Sequence, residues 1–352
     1  MASIEMSCSG FYKFQMRGGV YPHGSSWRNR MNSKNKVVSL QEAISKYVND
    51  SGIWMAIGGF VTNRRPYALT FEVIRQRKKN LYIETGAGAG DIDMMIGCGM
   101  VKVLHNSYVA NSGYSQVGRR FKKAVTRNEI LIEDFSLDAQ TILYHAAALG
   151  LDYVCIKNMI GTSMVDKWGI SEEIRKNDPN LPDKKLLIHE NPFKPGDKLC
   201  CLPVPTIDVA LVHAHMASPD GTARIIGPVF QDIDIATAAK YCILSCDQLV
   251  DNDYLRRNPE LNNIPNLVVD AVVHQPYGAY PSQLFGVYDY DGRFFYEYDK
   301  ASADEKSFFD FVEHYIDSVP DYYGFLEKIG VRRLLEKNIA PGNSFVHELK
   351  RK

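Results

Sequence analysis

The chain has 352 residues, 45% of them hydrophobic and 23% charged, with 41 basic side chains balanced by 41 acidic ones. This composition excludes disorder, collagen and coiled coil, and it leaves no global field to draw the chain to nucleic acid or an anionic membrane. No apolar run approaches the roughly 20 residues of a membrane span, and the first 30 residues lack the apolar stretch of a signal peptide, so a cytoplasmic globular protein of one large or two medium domains is expected. Seven cysteines, mostly inside apolar runs and with no C-x-x-C pair, read as core thiols of a reducing compartment rather than zinc or redox groups.

Residues 1–36 carry six Lys or Arg against one acidic residue and show no apolar period, the signature of a flexible tail. Met31 stands just before the first helix start and would serve as an alternative initiator. From Ser39 the pattern changes. Ser39-Leu40-Gln41-Glu42 is a capping box, and Leu40, Ala43, Ile44 and Val48 predict a helix to about 49, closed by Gly52. A continuous apolar strand at 53–57 follows, stopping at Gly58-Gly59, and then a second helix with Pro66 in its first turn. Strands are predicted at 81–83, 101–104, 130–132 and 153–156. They alternate with a glycine-rich turn and helices near 91–96, 119–127 and 138–149. That βα series predicts an α/β fold with an open, mostly parallel sheet and helices on both faces. A long polar excursion at about 157–198 interrupts it. Strands then resume at 199–203, 209–212, 241–245 and 268–273, helical segments run over 307–335, and 342–352 forms a C-terminal tail.

Ligands of open parallel sheets sit beyond the carboxyl ends of strands, which directs attention to the turns there. Gly58, Gly59, Phe60 and Thr62 form one, where paired glycines would expose N–H groups to a ligand. Gly86, Gly88 and Gly90 form a second, whose G-x-G-x-G-D spacing lacks the third glycine of a dinucleotide fingerprint. No phosphate-loop motif occurs. Asn111, Ser112 and Gly113 form a third turn, and Arg119 begins a basic helix whose fork suits a substrate carboxylate. His213 and His215 face one way but have no obvious carboxylate partner in sequence, so ordinary hydrogen bonding is expected and no metal site is assigned. Glu84 reads as a strand-end cap or ion-pair partner, with a nucleophile as the sharper alternative.

These residues also carry a likeness. Gly58-Gly59-Phe60 after Met55-Ala56-Ile57, preceded by Asp50-Ser51-Gly52 and followed by Pro66, resembles the first motif of the CoA-transferases that use a glutamate nucleophile. The usual glycine two positions before that proline is Arg64 here, which points to the branch of glutaconate CoA-transferase A subunits. The resemblance continues through Asp91-Ile92-Asp93-Met94-Met95-Ile96-Gly97, Ala110-Asn111-Ser112-Gly113, Arg119-Arg120-Phe121 and His145-Ala146-Ala147-Ala148-Leu149-Gly150. Later blocks are Trp168-Gly169-Ile170-Ser171, Asn191-Pro192-Phe193-Lys194-Pro195-Gly196, Ala217-Ser218-Pro219-Asp220-Gly221, Gln231-Asp232-Ile233-Asp234-Ile235-Ala236, Pro276-Tyr277-Gly278-Ala279 and Gly286-Val287-Tyr288-Asp289-Tyr290-Asp291. It covers about 31–341, and 37–341 is expected to be one α/β domain of the kind found in CoA-transferase A subunits and ribose-phosphate isomerases.

The resemblance implies transfer of CoA between a donor acyl-CoA and a carboxylic acid such as glutaconate, with CoA thioester as substrate and no bound cofactor. It implies a B subunit that carries the nucleophilic glutamate, in a hetero-oligomer of AB units, so that this chain is inactive alone. Nothing here reads like the Ser-Glu-Asn-Gly motif of that partner; Glu84-Thr85-Gly86 is the nearest imitation. Gly58, Gly59, Phe60 and Thr62 are then expected to serve the oxyanion and acyl-CoA, and Asn111, Ser112, Gly113 and Arg119 the acid substrate. Two alternatives are an A-type subunit of a hydrolase of ring-containing acyl-CoA, disfavoured because Asp134-Phe135-Ser136 holds no glutamate, and a non-enzymatic sugar-phosphate or nucleotide sensor of the same fold.

Overall fold

The computed structural model describes residues 35–111 and 113–346. Among them are eleven strands: β1 (Trp54–Ile57), β2 (Leu81–Gly88), β3 (Val101–Val109), β4 (Leu131–Asp134), β5 (Tyr153–Ile156), β6 (Leu187–Glu190), β7 (Lys198–Pro203), β8 (Val209–Ala217), β9 (Ala223–Arg224), β10 (Tyr241–Leu249) and β11 (Ala271–His274). Seven of them form a parallel sheet in the order β11-β10-β8-β1-β2-β3-β4, and β9 adds antiparallel to β8. The chain lays down β1 to β4 outward in one direction and then returns to lay β8, β10 and β11 in the other. The order therefore reverses between β1 and β8, which is where ligands of such sheets bind.

Helices cover both faces. On one, α1 (Leu40–Tyr47), α2 (Tyr67–Arg75) and α3 (Gly90–Gly97) share a core with β1 to β3 and with the C-terminal helices. Ser39 caps α1 by accepting from the Glu42 N–H (3.1 Å), as its sequence predicts. Helix α4 (Arg119–Thr126) follows β3. On the opposite face, α5 (Leu137–Ala148) covers β2 and β3, and α7 (Asp232–Ala238) covers β8 and β10, with the short α6 (Glu172–Asn177) between them in the chain. The C-terminal segment supplies α8 (Gly292–Ser302), α9 (Glu305–Val312), α10 (Tyr322–Ile329) and α11 (Val331–Leu335). Helix α8 was not expected; Asp291 starts it by accepting from the N–H groups of Arg293 and Phe294. Phe71, Phe294, Phe311, Tyr322 and Phe325 interlock this layer with α2.

Several expectations need correction. β5 and β7 do not belong to the parallel sheet. With β6, a strand of the excursion, they form a separate antiparallel sheet in the order β5-β7-β6. Its solvated outer face explains why β5 alternates between exposed and half-buried positions. β2, β3, β8 and β10 run eight or nine residues, far past their predicted ends, because buried polar groups such as Glu84, His105 and His213 continue the ladder where apolar periodicity stops. The cysteines are not all core thiols: Cys155, exposed, is bonded to Cys201 directly opposite it on β7. Cys200 and Cys246 are buried and free, Cys242 is buried, and Cys98 is half-buried and free.

Of the N-terminal tail only 35 and 36 are described, so Met31 lies outside the described residues. Lys36 is buried, donating to the carbonyls of Asn266 (2.6 Å) and Val269 (2.9 Å), while Val37 pairs with Val272. One charged node ties the excursion to the sheet edge. Buried Glu133, at the end of β4, pairs with Arg175 and with Lys185 (2.9 Å) and accepts from the Gly169 N–H. A side chain at Gly169 would strike the Ile132 carbonyl oxygen at 2.1 Å.

Candidate active site at the switch point

The turn after β1 lies at the reversal of strand order. Gly59 has φ +73°, and Val61, Arg64 and Phe230 also take left-handed backbone, at +52°, +48° and +51°. For Val61, a β-branched residue, that conformation is strongly disfavoured, and such strain gathers where a site needs an unusual backbone path. Arg64 occupies its left-handed position because its guanidinium is anchored on three sides. It donates to the carbonyls of His213 (3.0 Å) and Pro228 (2.9 Å) and forms a buried ion pair with Asp232, the first residue of α7. Asp232 also accepts from the Gly59 N–H at 2.7 Å. Phe60 stacks on Phe230 with centroids 5.1 Å apart. The far side of the turn is sewn to 283, with Arg64 N–H donating to the Gln283 carbonyl and Gln283 N–H to that of Thr62, both at 2.8 Å.

This bonding moves the donors away from the glycines. The Gly58 N–H donates to Leu211 (2.9 Å), that of Gly59 to Asp232, and that of Phe60 to Asn63 (2.8 Å). The N–H groups of Val61 and Thr62 meet no acceptor among the described residues. The glycines are required for room: a Cβ on Gly58 would stand 2.8 Å from Asp232 Oδ1, and one on Gly59 2.5 Å from the Arg64 carbonyl oxygen.

Three carboxylates stand near the turn, Asp232 and Asp91 buried and Asp247 half-buried, and each has a cationic or imidazole partner. Asp232 is held by Arg64. Asp91, at the start of α3, is held by Arg65 at 2.7 Å, and the same guanidinium reaches the Ile57 carbonyl and the Thr85 hydroxyl. Asp247 meets His213 Nε2 at 2.9 Å, while His213 Nδ1 faces the Ser245 hydroxyl at 2.8 Å. The carboxylate partner missing from the sequence around His213 thus comes from the neighbouring strand. His215 donates from Nε2 to the Phe285 carbonyl (2.9 Å) and accepts the Ile226 N–H at Nδ1, and burial lowers its pKa to about 4.

The other predicted turns are built differently. Gly86 and Gly88 are not in a loop but within β2, and Gly90 is the first residue of α3. Gly86 lets α5 approach, since a Cβ there would stand 2.9 Å from Leu137; Gly88 admits the Val109 side chain. Asn111 caps its own turn, accepting from Ser115 N–H and donating Nδ2 to the Phe295 carbonyl at 2.8 Å. Gly113 takes φ +85° in open space. Ser112 lies outside the described residues. Arg119 spends its fork on Asp299, two bonds of 2.9 Å, which removes it as a free carboxylate clamp. Glu84 is neither at a strand end nor exposed: it sits mid-strand, 3% exposed, between His105 and Tyr144.

The sequence pattern described as Coenzyme A transferase matches residues 37–275. The A subunit of glutaconate CoA-transferase from Acidaminococcus fermentans is 47% identical over 308 residues, 88% of this chain and 96% of the relative. The chain belongs to the coenzyme A transferase family. The crystal structure of glutaconate coenzyme A-transferase from the same organism superposes with a TM-score of 0.87 at 45% identity, covering 90% of this chain and all of that one. The A subunit of 3-oxoadipate CoA-transferase from Pseudomonas knackmussii is 29% identical over 84% of this chain and 98% of its own length. Among the described residues no helix is long and apolar enough to cross a membrane.

Proposed function

We propose that this chain is the A-type half of a CoA-transferase that moves CoA between an acyl-CoA and a carboxylic acid, a dicarboxylate such as glutaconate. The attacking glutamate belongs to a B-type partner. The observation that carries this reading is the state of the carboxylates around the turn: Asp232 and Asp91 are fully buried in ion pairs with Arg64 and Arg65, and Asp247 is held by His213, so none stands as an exposed, unpaired carboxylate facing a thioester. What the turn offers instead is the pair of unengaged N–H groups at Val61 and Thr62, on a strained backbone held rigid by Arg64.

The chemistry needs both contributions. A carboxylate attacks the thioester to form an acyl-glutamyl anhydride and release CoA thiolate, which then attacks the glutamyl carbonyl, expelling the donor acid as its carboxylate and leaving the glutamyl thioester; the acceptor carboxylate runs the same two steps in reverse, restoring the glutamate. Each attack creates an oxyanion, and one fixed donor there is worth roughly 3–4 kcal/mol in a dry site. The distal carboxylate of a diacid needs hydroxyl or N–H donors. With Asn111 and Arg119 committed elsewhere, Ser112 is the candidate from that segment. Ser112→Ala is expected to raise KM for a dicarboxylate far more than for acetate, and equal effects remove Ser112 from the site.

The deciding experiment uses the chain co-expressed with a B-type partner, incubated with acyl-CoA and trapped with borohydride before mass spectrometry. The reduced glutamate is expected in the partner. A label on this chain, at Glu84 or elsewhere, or robust turnover by this chain alone, overturns the assignment.

A further inference from the structure

The small sheet β5-β7-β6 is apolar on both faces. Its inner side chains, Val154, Ile156, Cys200 and Leu202, pack with Phe135, Ala139 and Leu143. Side chains alternate along a strand, so the outward positions are Tyr153 and Cys155 on β5, Leu199, Cys201 and Pro203 on β7, and Leu187 and His189 on β6. An antiparallel sheet with one face in water ordinarily carries polar side chains there. Here Tyr153 is 66% exposed, and Leu187, 54% exposed, continues the row of the Cys155–Cys201 bond. Leu151, two residues before Tyr153, is 48% exposed. Apolar surface gathered in this way marks a place that another protein covers.

The hairpin that joins β6 to β7 ends in a tightly bonded tip. Asn191 N–H donates to the Asp197 carbonyl (2.8 Å), and the Asn191 side-chain oxygen accepts from Phe193 N–H (3.0 Å). The Asn191 carbonyl accepts from Lys194 N–H (3.1 Å), and Pro192 and Pro195 restrict the backbone around Phe193, which is 94% exposed. The tip and Leu151 lie at opposite ends of the sheet, equally far from the Cys155–Cys201–Leu187 row: Asp197 is four residues from Cys201, and Leu151 four from Cys155. The two ends also differ in charge. Exposed Lys157 and Lys194 stand at the tip end and share Asp197, whereas exposed Asp152 stands at the Leu151 end with no ion-pair partner among the described residues.

We propose that this face is where a second copy of the chain docks, sheet on sheet, about a two-fold axis that crosses the strands at the Cys155–Cys201–Leu187 row. The strands of the two copies then run antiparallel. The basic tip end of each copy lies over the Asp152 end of the other, and Phe193 meets the second copy's Leu151 and Tyr153. At the centre the outward side chains are apolar, so no like charges oppose each other. Three strands about 4.8 Å apart and about eight residues long give a face of roughly 400 Å². That is about half of the roughly 800 Å² per partner of a standard stable complex, so the association is weak, with Kd on the order of 10 µM. No residue of the switch-point turn belongs to this face, and the proposal stands or falls independently of the transferase reading.

The test is sedimentation velocity of the full chain from about 1 to 200 µM, a range that brackets the expected Kd. A monomer–dimer equilibrium is expected. Tyr153→Lys should weaken it at least about tenfold, while Val331→Lys, at a position 72% exposed on α11, should leave it unchanged. Phe193→Lys and Leu151→Glu should each weaken it when studied alone. Mixed together they should associate again, because the mixed pair holds one lysine–glutamate contact and one native contact. All four positions are exposed, so these comparisons are made on folded protein. A parent chain that stays monomeric throughout the range overturns the proposal, even where Tyr153→Lys weakens binding of a B-type partner instead. So does a Tyr153→Lys variant that associates as tightly as the parent, equal weakening by Val331→Lys, or a mixture that associates no better than its two components.

Discussion

Gly59→Ala isolates how the switch-point turn is built. At φ +73° a side chain already costs about 1 kcal/mol. The added methyl carbon would stand 2.5 Å from the Arg64 carbonyl oxygen, 2.6 Å from its carbon and 2.7 Å from the Arg65 nitrogen. All three are backbone atoms, so no rotamer change relieves the contact and the turn itself must move, adding roughly 1–3 kcal/mol. The expected loss is therefore roughly 2–4 kcal/mol in total. Gly99→Ala is the control, because Gly99 has a similar φ of +68° with nothing within 4 Å of the added carbon, and it should lose only about 1 kcal/mol. Urea denaturation followed by tryptophan fluorescence compares the two. Turnover in the presence of the proposed B-type partner gives the second readout, since a displacement of about 1 Å at such a turn costs on the order of a hundredfold. If Gly59→Ala is as mild as Gly99→Ala in both assays, the account of a sterically closed turn that positions the Val61 and Thr62 donors is wrong.

Glu133→Ala should destabilise the chain by roughly 3–5 kcal/mol, because it leaves the buried Arg175 and Lys185 without their shared carboxylate; limited proteolysis should then cut within 157–198, and unchanged protease resistance refutes the clamp. Burial holds the folded His215 pKa near 4, below its unfolded value of 6.5, so its contribution to stability is complete above pH 6.5 and declines by about 3 kcal/mol as pH falls to 4. His215→Gln should flatten that part of the stability profile, and an unaltered slope between pH 6.5 and 4 assigns the acid sensitivity elsewhere. Arg119→Ala should leave KM for the acid substrate within about twofold and cost under about 1 kcal/mol, since its partner Asp299 is met at a half-exposed position; a large rise in KM would restore it to the substrate site. Alkylation of the unfolded chain before reduction should count two fewer thiols than after it, through Cys155–Cys201, and equal counts exclude that bond.

Local chemistry made much of the fold legible. Continuous apolar runs at 53–57 and 209–212, the first closed by Gly58-Gly59, marked strands buried on both faces, and the Ser39 cap fixed the start of α1. Paired glycines after β1 located the turn at which the strand order reverses. Periodicity reports whether a segment is buried, not which strand it meets, so the antiparallel partnership of β5, β6 and β7 was invisible to it. The glycines at 86 and 88 signalled close approach correctly, but close approach by a packed helix and by a ligand look alike in one dimension.

The candidate residues divide along the same line. Sequence selected groups able to donate or attack: the glycine N–H groups, the Arg119 fork and the Glu84 carboxylate. Whether such a group is available depends on what stands within about 3 Å of it, and those neighbours come from distant parts of the chain. Asp232 takes the Gly59 N–H across 173 residues, Asp299 takes Arg119 across 180, and His105 meets Glu84 from the adjacent strand. The amino-acid order thus determined the helix and strand layers, where most strands begin, and the family motifs, because these follow from apolar spacing and local turn chemistry. Tertiary structure alone decided which polar groups remain free, because a hydrogen bond is settled by contact in space.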